Sequence, residues 1–457
     1  MSIVDLIPAP DAPSFERTAT ELEQWILRRV DLAGGWTPEM QAAFSVRTIG
    51  AYQFSLEQSR VLHDLGARLS DLYEQCGAAA RRRFMSTEAK AQARSPDEHR
   101  VIRASLENEE GWATTLRADL LYDQSGRPQI VEVNTDAVAG IESVLLHLHF
   151  YRSRSSEPKL VEANIQRVET AVVAWARHHL GRAKDDEGLI AIVYIDRGVS
   201  QFLARYLADT LNRLGLRARA CRPEHLFRAG RRLNLEDHDG SRLPVGLVWR
   251  HWLFFEMFDS TGGERRLKSE FLPFVEALEA SEIVAVNPVH DHLLFSKSWL
   301  ADLTTAAPDL ALTAEQRALV ETYVVPTERV TDRAQQKLRS GFVMKPAGEF
   351  GGQGVRHGGD GPTTTPPDVA SLYDGEWVQQ PVIHGETAER YLRWSARNAP
   401  TWITTRQALF VTHGVLVLRS PEPHLACVLT RLGPDPVVNW SRGSEYLAGL
   451  LPSPSSA

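Results

Sequence analysis

A chain of 457 residues exceeds one average domain and points to about two to four structural units. Its 43% hydrophobic and 24% charged content is that of a soluble globular protein, which excludes disordered, collagen-like and membrane classes. A formal net charge of -7 argues against a nucleic-acid partner, because phosphate contacts need a clustered basic surface, and the short run Arg81-Arg82-Arg83 reads as the solvated flank of a helix.

The N-terminus, Met-Ser-Ile-Val-Asp-Leu-Ile-Pro, has an early acid and a proline where an export signal needs a basic start and an apolar run. No stretch reaches the ~18 consecutive apolar residues of a membrane span. The three cysteines, Cys76, Cys221 and Cys427, are far apart and lack the paired spacing of a zinc site or a disulfide framework. A soluble, cytoplasmic protein with no membrane partner is expected.

From about Phe15 to Leu180 apolar residues recur at three- and four-residue intervals, as in Leu22, Trp25, Ile26 and Val30, and this predicts a helical region. One interruption stands out. Leu116 to Tyr122 and Gln129 to Val133 read as strands joined by Asp123-Gln-Ser-Gly-Arg-Pro, a hairpin set among helices. After residue 188 the character changes. The buried-type run Leu189 to Ile195, a helix from Phe202 to Leu214, strands at Arg217 to Cys221 and Val245 to Arg250, a helix around Phe271 to Leu278 and a strand at Ile283 to Val286 predict a parallel-sheet domain. The last third is expected to open with a helix from His292 to Leu303. Strands follow at Phe342 to Lys345, Trp377 to Val382, Gln407 to Thr412 and Val415 to Arg419, with loops around Gly358 and Thr363. The tail from Leu451, rich in proline and serine, is expected to be disordered.

Three segments carry candidate chemistry. Arg117-Ala-Asp119 lies on one hairpin strand and Glu132-Val-Asn134 on the other. Side chains two apart share a strand face, so Asp119, Glu132 and Asn134 would form an all-oxygen cluster suited to magnesium, with Arg117 free to grip a phosphate or carboxylate. A solvated polar face with an ordinary salt bridge is the alternative. In Val343-Met-Lys345-Pro-Ala-Gly348-Glu-Phe-Gly351-Gly352-Gln-Gly354, a lysine leaves a strand ahead of glycines that can bring backbone N–H groups to phosphates. The order fits neither a Walker A loop nor a dinucleotide fingerprint, and a structural turn is the competing explanation. Glu376-Trp-Val-Gln379-Gln380 reads as a short strand able to offer backbone bonds to an adenine edge, or as a plain strand. The pairs His147/His149 and His290/His292 and the residue Cys427 read as structural.

Taken together and in this order, the segments from about Gly111 to Arg431 resemble the circularly permuted ATP-grasp proteins, the group that includes glutathionylspermidine synthetases. The resemblance implies a mixed α/β fold with residues 1–185 as a helical region carrying the metal-binding hairpin. It further implies a Rossmann-like domain over 186–290, nucleotide-binding subdomains over 291–450, and a tail at 451–457. Asp119, Glu132 and Asn134 would be magnesium ligands, and Arg117 would contact the transferred phosphate. Lys297, in Phe295-Ser296-Lys297, and Lys345 would bind the phosphates of ATP, together with the loop glycines Gly351, Gly352 and Gly354, and Gln379 with its neighbours would line the adenine pocket. An arginine facing an acyl phosphate corresponds to Arg431 or Arg419, with Arg431 preferred. Glu349 and Gln353 stand where many relatives carry a basic residue. The resemblance implies an ATP- and Mg2+-dependent carboxylate–amine ligase whose acid and amine the sequence does not name. A non-catalytic nucleotide-binding protein and an ATP-dependent kinase are the competing readings, and a homodimer is the common default for the assembly.

Overall fold

The computed structural model describes residues 2–4, 11–28, 49–86, 95–108, 111–183, 188–195, 199–237, 240–261, 264–330, 340–348, 354–358, 376–394, 403–433 and 445–452. Several helices begin at a side-chain cap. In α1 (Ala12–Leu27) the Asp11 carboxylate accepts from Ser14 N. In α2 (Leu56–Met85) Ser55 and Gln58 form a reciprocal capping box. The remaining helices among the described residues are α3 (Pro96–Asn108), α4 (Ile141–Tyr151), α5 (Pro158–Leu180), α6 (Val199–Arg213), α7 (Leu272–Glu279), α8 (Ser298–Thr304) and α9 (Ala314–Tyr323). Among the described residues no helix is long and apolar enough to cross a membrane.

The largest sheet contains β1 (Ser2–Val4), β2 (Ala51–Gln53), β3 (Thr115–Tyr122) and β4 (Pro128–Asn134) from the first third of the chain. The predicted hairpin is therefore observed with ends shifted by a residue, but it is not an isolated insert. A second sheet is built from β5 (Leu189–Tyr194), β6 (Ala218–Cys221), β7 (Leu226–Ala229), β8 (Arg232–Glu236), β9 (Arg242–His251) and β12 (Val284–Val286). β10 (Phe258–Thr261) and β11 (Glu264–Leu267) form a separate ribbon. A third, small sheet holds β13 (Glu328–Val330), β14 (Phe342–Pro346), β15 (Arg356–His357) and β16 (Trp377–Pro381). β17 (Thr387–Trp394), β18 (Ile403–Arg419), β19 (Pro423–Gly433) and β20 (Glu445–Leu450) return to the large sheet, whose order is β1-β2-β20-β19-β18-β3-β4, with β17 also paired to β18.

In the second sheet β6, β5, β9 and β12 run parallel in that order, and the continuous apolar runs of the sequence are buried on both faces, as parallel strands require. Ile190, Ile192 and Trp249 pack toward α5 and α6, whereas Ala191, Val193 and Val248 join the core that includes α7.

The large sheet obeys the two-residue period. Leu116, Ala118, Leu120, Val415, Val417 and Val428 share one core with Leu62, Leu65 and Leu69 of α2. The opposite face buries Leu416, Cys427, Leu429 and Ala448 under α4 and α5.

Several expectations change. The two predicted strands Gln407 to Thr412 and Val415 to Arg419 are one strand, because β3 and β19 pair with β18 from either side and carry it straight through His413 and Gly414. The predicted helix from His292 to Leu303 is instead a 3-10 turn, Val289–Leu294, followed by α8. Its break frees Lys297 N to donate to Ala347 O at 2.9 Å. Leu451, placed in the disordered tail, is buried, and its N donates to Asn164 Oδ1 at 3.0 Å. Residues 453–457, and the expected loop segments around Gly358 and Thr363 apart from Gly358 itself, lie outside the described residues; Gly358 N donates to Phe342 O at 2.8 Å, which extends the pairing with β14.

Candidate active site

On the large sheet the face covered by α4 continues past that helix's N-terminus into a polar patch. Register places Arg117 opposite Asn134, Asp119 opposite Glu132 and Gly414 opposite Asp119 on the next strand, while Thr412 of β18 faces Arg431 of β19. Asp119 sits at the centre. Its Oδ1 accepts from Arg117 Nε at 2.8 Å, and its Oδ2 accepts from Arg431 Nη2 at 2.7 Å and from Asn134 Nδ2 at 3.3 Å. Burial pushes the Asp119 carboxyl up, but the Arg117 and Arg431 charges outweigh it and hold the group below the ordinary carboxylate range.

Gly414 makes this crossing possible. A Cβ there would lie 2.8 Å from Arg117 Cδ and 3.1 Å from Asp119 Oδ1. Gly140 does the same for the start of α4: its φ is +133°, and a Cβ would meet Leu429 at 3.1 Å and Leu416 at 3.3 Å. Arg117 Nη1 donates to Ala139 O at 3.0 Å, so the guanidinium lies against the positive end of α4. Nε of Arg431 is buried without a hydrogen-bond partner.

The small sheet approaches the edge of β4 from the other side. Val325 N donates to Ile130 O, and Val131 O accepts from both Lys345 Nζ and Gln380 Nε2 at 3.3 Å. Lys297, on the segment that breaks before α8, places Nζ 3.4 Å from Glu132 Oε1. Burial lowers the Lys345 ammonium to about 8, Glu132 raising it and Lys297 lowering it further. The early hairpin and both late lysines therefore meet at one place. Gly354 closes the glycine-rich loop at φ +70°, where a Cβ would lie 2.7 Å from Pro346 Cγ, whereas Gly351, Gly352, Glu349 and Gln353 lie outside the described residues.

Two expected site residues lie elsewhere. Arg419 is at the far end of β18, paired with Asp71 and Glu74 of α2, so Arg431 is the arginine that reaches the patch. Gln379 points to the face opposite Lys345 and donates to Glu328 Oε2 at 2.7 Å. Its neighbour Gln380 shares the lysine's face, which the register of β16 against β14 sets, with Val378 opposite Lys345 and Gln380 opposite Val343.

Comparison with solved structures gives the fold. The glutathione synthetase-like effector from Globodera pallida, in its apo form, matches with a TM-score of 0.57 over 99% of this chain and 100% of that one, at 15% sequence identity. The two share a fold. A putative gamma-glutamylcysteine synthetase from Methylobacillus flagellatus KT aligns with a TM-score of 0.44 over 84% of this chain and 88% of that one, at 11% identity, a likeness too loose to add to the argument. No protein-family model and no curated protein matches the chain.

Among the described residues no three His, Cys, Asp or Glu side chains group so as to hold an ion. The patch offers two carboxylates, Asp119 and Glu132, and the Asn134 amide. That is a hard-oxygen set of the kind magnesium uses when substrate phosphates complete its shell, so the residues fit that ion while falling short of a self-sufficient metal cage. His290 and His292 are engaged elsewhere. Both nitrogens of His290 are bonded, to Ser105 Oγ and Gly111 O, and His292 Nδ1 meets the buried Asp136. The three cysteines are buried, with the Cys76 thiol pushed up to about 12 by that burial, which leaves no reactive thiolate.

Proposed function

We propose that the chain is an ATP-dependent carboxylate–amine ligase with a circularly permuted ATP-grasp architecture, similar to glutathionylspermidine synthetases. In this reading the parallel-sheet region is its Rossmann-like domain. The observation that carries it is the meeting of Glu132 with Lys297, at 3.4 Å, and of Lys345 with the adjacent Val131 carbonyl, at 3.3 Å. The fold shared with a glutathione synthetase-like protein supports the same reading.

The junction between the small sheet and the hairpin takes the triphosphate. Lys297 and Lys345 neutralise phosphate oxygens, and the Gln380 side chain on β16 frames the nucleotide. Asp119, Glu132 and Asn134 would hold Mg2+, which when bound draws charge from the phosphates. A substrate carboxylate docked against Arg117 and Arg431 attacks the γ-phosphorus, the bond to the bridging oxygen breaks, and ADP leaves. The amine then adds to the acyl carbon and phosphate departs, giving the amide. The two guanidiniums stabilise the charge that develops on the acyl phosphate, and the work of the site is positioning and electrostatics. No protein nucleophile takes part.

The test is to mix purified protein with ATP, magnesium and pools of carboxylates and amines, and to follow ADP and product mass, with Asp119→Asn as the control. Formation of a condensed product by the wild type, lost in a folded Asp119→Asn protein, is the expected result. ADP release that needs no amine would mark a kinase. Nucleotide binding without ADP release under any pool would mark a binding protein and end the ligase reading.

A further inference from the structure

Two residues beyond Asn134 the chain buries a second ionic cluster that the chemistry above does not use. Asp136 is 3% exposed, Arg250 1% and His292 3%. Asp136 Oδ1 accepts from Arg250 Nη2 at 2.7 Å, and Oδ2 accepts from Phe254 N at 2.9 Å and meets His292 Nδ1 at 3.2 Å. Arg250 spends its remaining donors on backbone: Nε on Asn287 O at 2.6 Å, Nη2 also on Pro288 O at 3.1 Å, and Nη1 on Trp252 O at 3.3 Å. His292 stacks on the Phe254 ring, with centroids 4.3 Å apart. Neutral bonds reinforce the join, since Thr135 Oγ1 donates to Asp291 O at 3.0 Å and Asn287 Nδ2 donates to Thr135 O at 3.1 Å.

What the cluster connects decides its role. Asp136 and Thr135 follow directly on the strand that carries Glu132 and Asn134. Asp291 and His292 belong to the 3-10 turn that leads through Phe295 and Ser296 to Lys297. Arg250 and Asn287, at the ends of the parallel strands, clamp the two together. A buried ion pair is a poor device for stability alone, because an apolar replacement of similar volume is often neutral or better; in some proteins such a group instead fixes the register of the segments it joins.

We infer that Asp136, Arg250 and His292 are positioning residues that lock the acidic end of the hairpin against the helix start bearing Lys297, so that magnesium and the nucleotide phosphates bind as one unit. The inference rests on the nucleotide reading of the hairpin–lysine junction. None of the three touches substrate, and each acts through the segments that do.

Calorimetric titration with AMP-PNP, in the presence of magnesium and in EDTA, measures the factor by which the metal strengthens nucleotide binding. In His292→Leu this factor is expected to fall about tenfold while affinity in EDTA stays within about threefold of wild type. His292→Asn, whose amide can still donate to Asp136, should retain the wild-type factor. A change that only loosened the fold would lower the melting temperature and leave the factor alone in the folded fraction. Should His292→Leu fail to fold, Thr135→Val severs the bond to Asp291, keeps the ion pair, and carries the same expectation. A folded His292→Leu or Thr135→Val protein with the wild-type factor, or a wild type whose nucleotide binding ignores magnesium, overturns the inference. A wild type that binds no AMP-PNP in either condition overturns the nucleotide reading itself, and the inference with it.

Discussion

Two ionic clusters sit almost side by side in the chain, and they are built on opposite principles. Around Asp136 one carboxylate and one guanidinium face each other, both carboxylate oxygens are bonded, and all three guanidinium nitrogens find acceptors. Around Asp119 two carboxylates, Asp119 and Glu132, meet four cations, Arg117, Arg431, Lys297 and Lys345, and the Arg431 Nε is left without a partner. Buried positive charge in excess is costly unless something negative arrives to share it. The saturated cluster is complete as it stands. The cation-rich one, among the described residues, has positive charge to offer an anion.

Breaking the clusters one at a time should separate them. The largest effect is expected from Arg431→Met, which removes a donor from the charge-stabilising pair and should lower ATP turnover roughly 100- to 1,000-fold with little loss of stability. Arg419→Met, which only releases Asp71 and Glu74 on α2, should leave turnover within about twofold, as expected for a partly exposed pair. Equal losses in the two variants would show that the patch is no more functional than the far end of β18. At the saturated cluster the sign of the experiment reverses. Arg250→Met strands the Asp136 carboxylate and should cost about 3–5 kcal/mol in urea unfolding, most of which the double variant Arg250→Met/Asp136→Leu recovers.

The same contrast explains what could be read from the sequence. The hairpin was legible because its pairs, Arg117 with Asp119 and Glu132 with Asn134, obey the strand period and flank an obvious turn, and the parallel domain was legible from the apolar run Leu189 to Tyr194. The path of β18 was not. His413-Gly414 looks like a turn locally, and only the neighbouring strands keep it extended, with Gly414 chosen by the side chain of Arg117 that crosses it. Arg431 could be favoured over Arg419 only by resemblance, since which of two arginines on adjacent strands reaches Asp119 depends on long-range register. The Asp136 cluster was invisible for the same reason: its members are 114 and 156 residues apart. Gln379 and its neighbours could be singled out as a segment, but which of Gln379 and Gln380 shares the face of Lys345 could not, because a strand face cannot be assigned before its partner strands are known.

Smaller effects sharpen the cation-rich side. Gly414→Ala puts a methyl group against Arg117 Cδ, which Asp119 and Ala139 O already hold in place, so roughly tenfold lower turnover with about 1 kcal/mol of destabilisation is expected. A neutral outcome would mean that Arg117 can shift without consequence.

The subtlest test uses the protons of Lys345. Its ammonium is lowered from the ordinary 10.5 to about 8, chiefly by burial. The unfolded chain therefore holds more protons than the folded one between about pH 8 and 10.5, and this group's contribution to stability rises with pH across that window. Nucleotide affinity should run the other way. Below pH 8 the side chain is a cation ready for phosphate, and as pH rises through 8 the site loses that charge, so affinity falls while stability gains. A bound triphosphate draws the proton back, so titrations near pH 8 in buffers of different ionisation enthalpy should show uptake of about half a proton. Lys345→Arg, which keeps its charge throughout, should abolish both the uptake and the decline in affinity. If the arginine variant retained the same proton uptake, the titrating group would lie elsewhere and Lys345 would not be the cation that meets the phosphates.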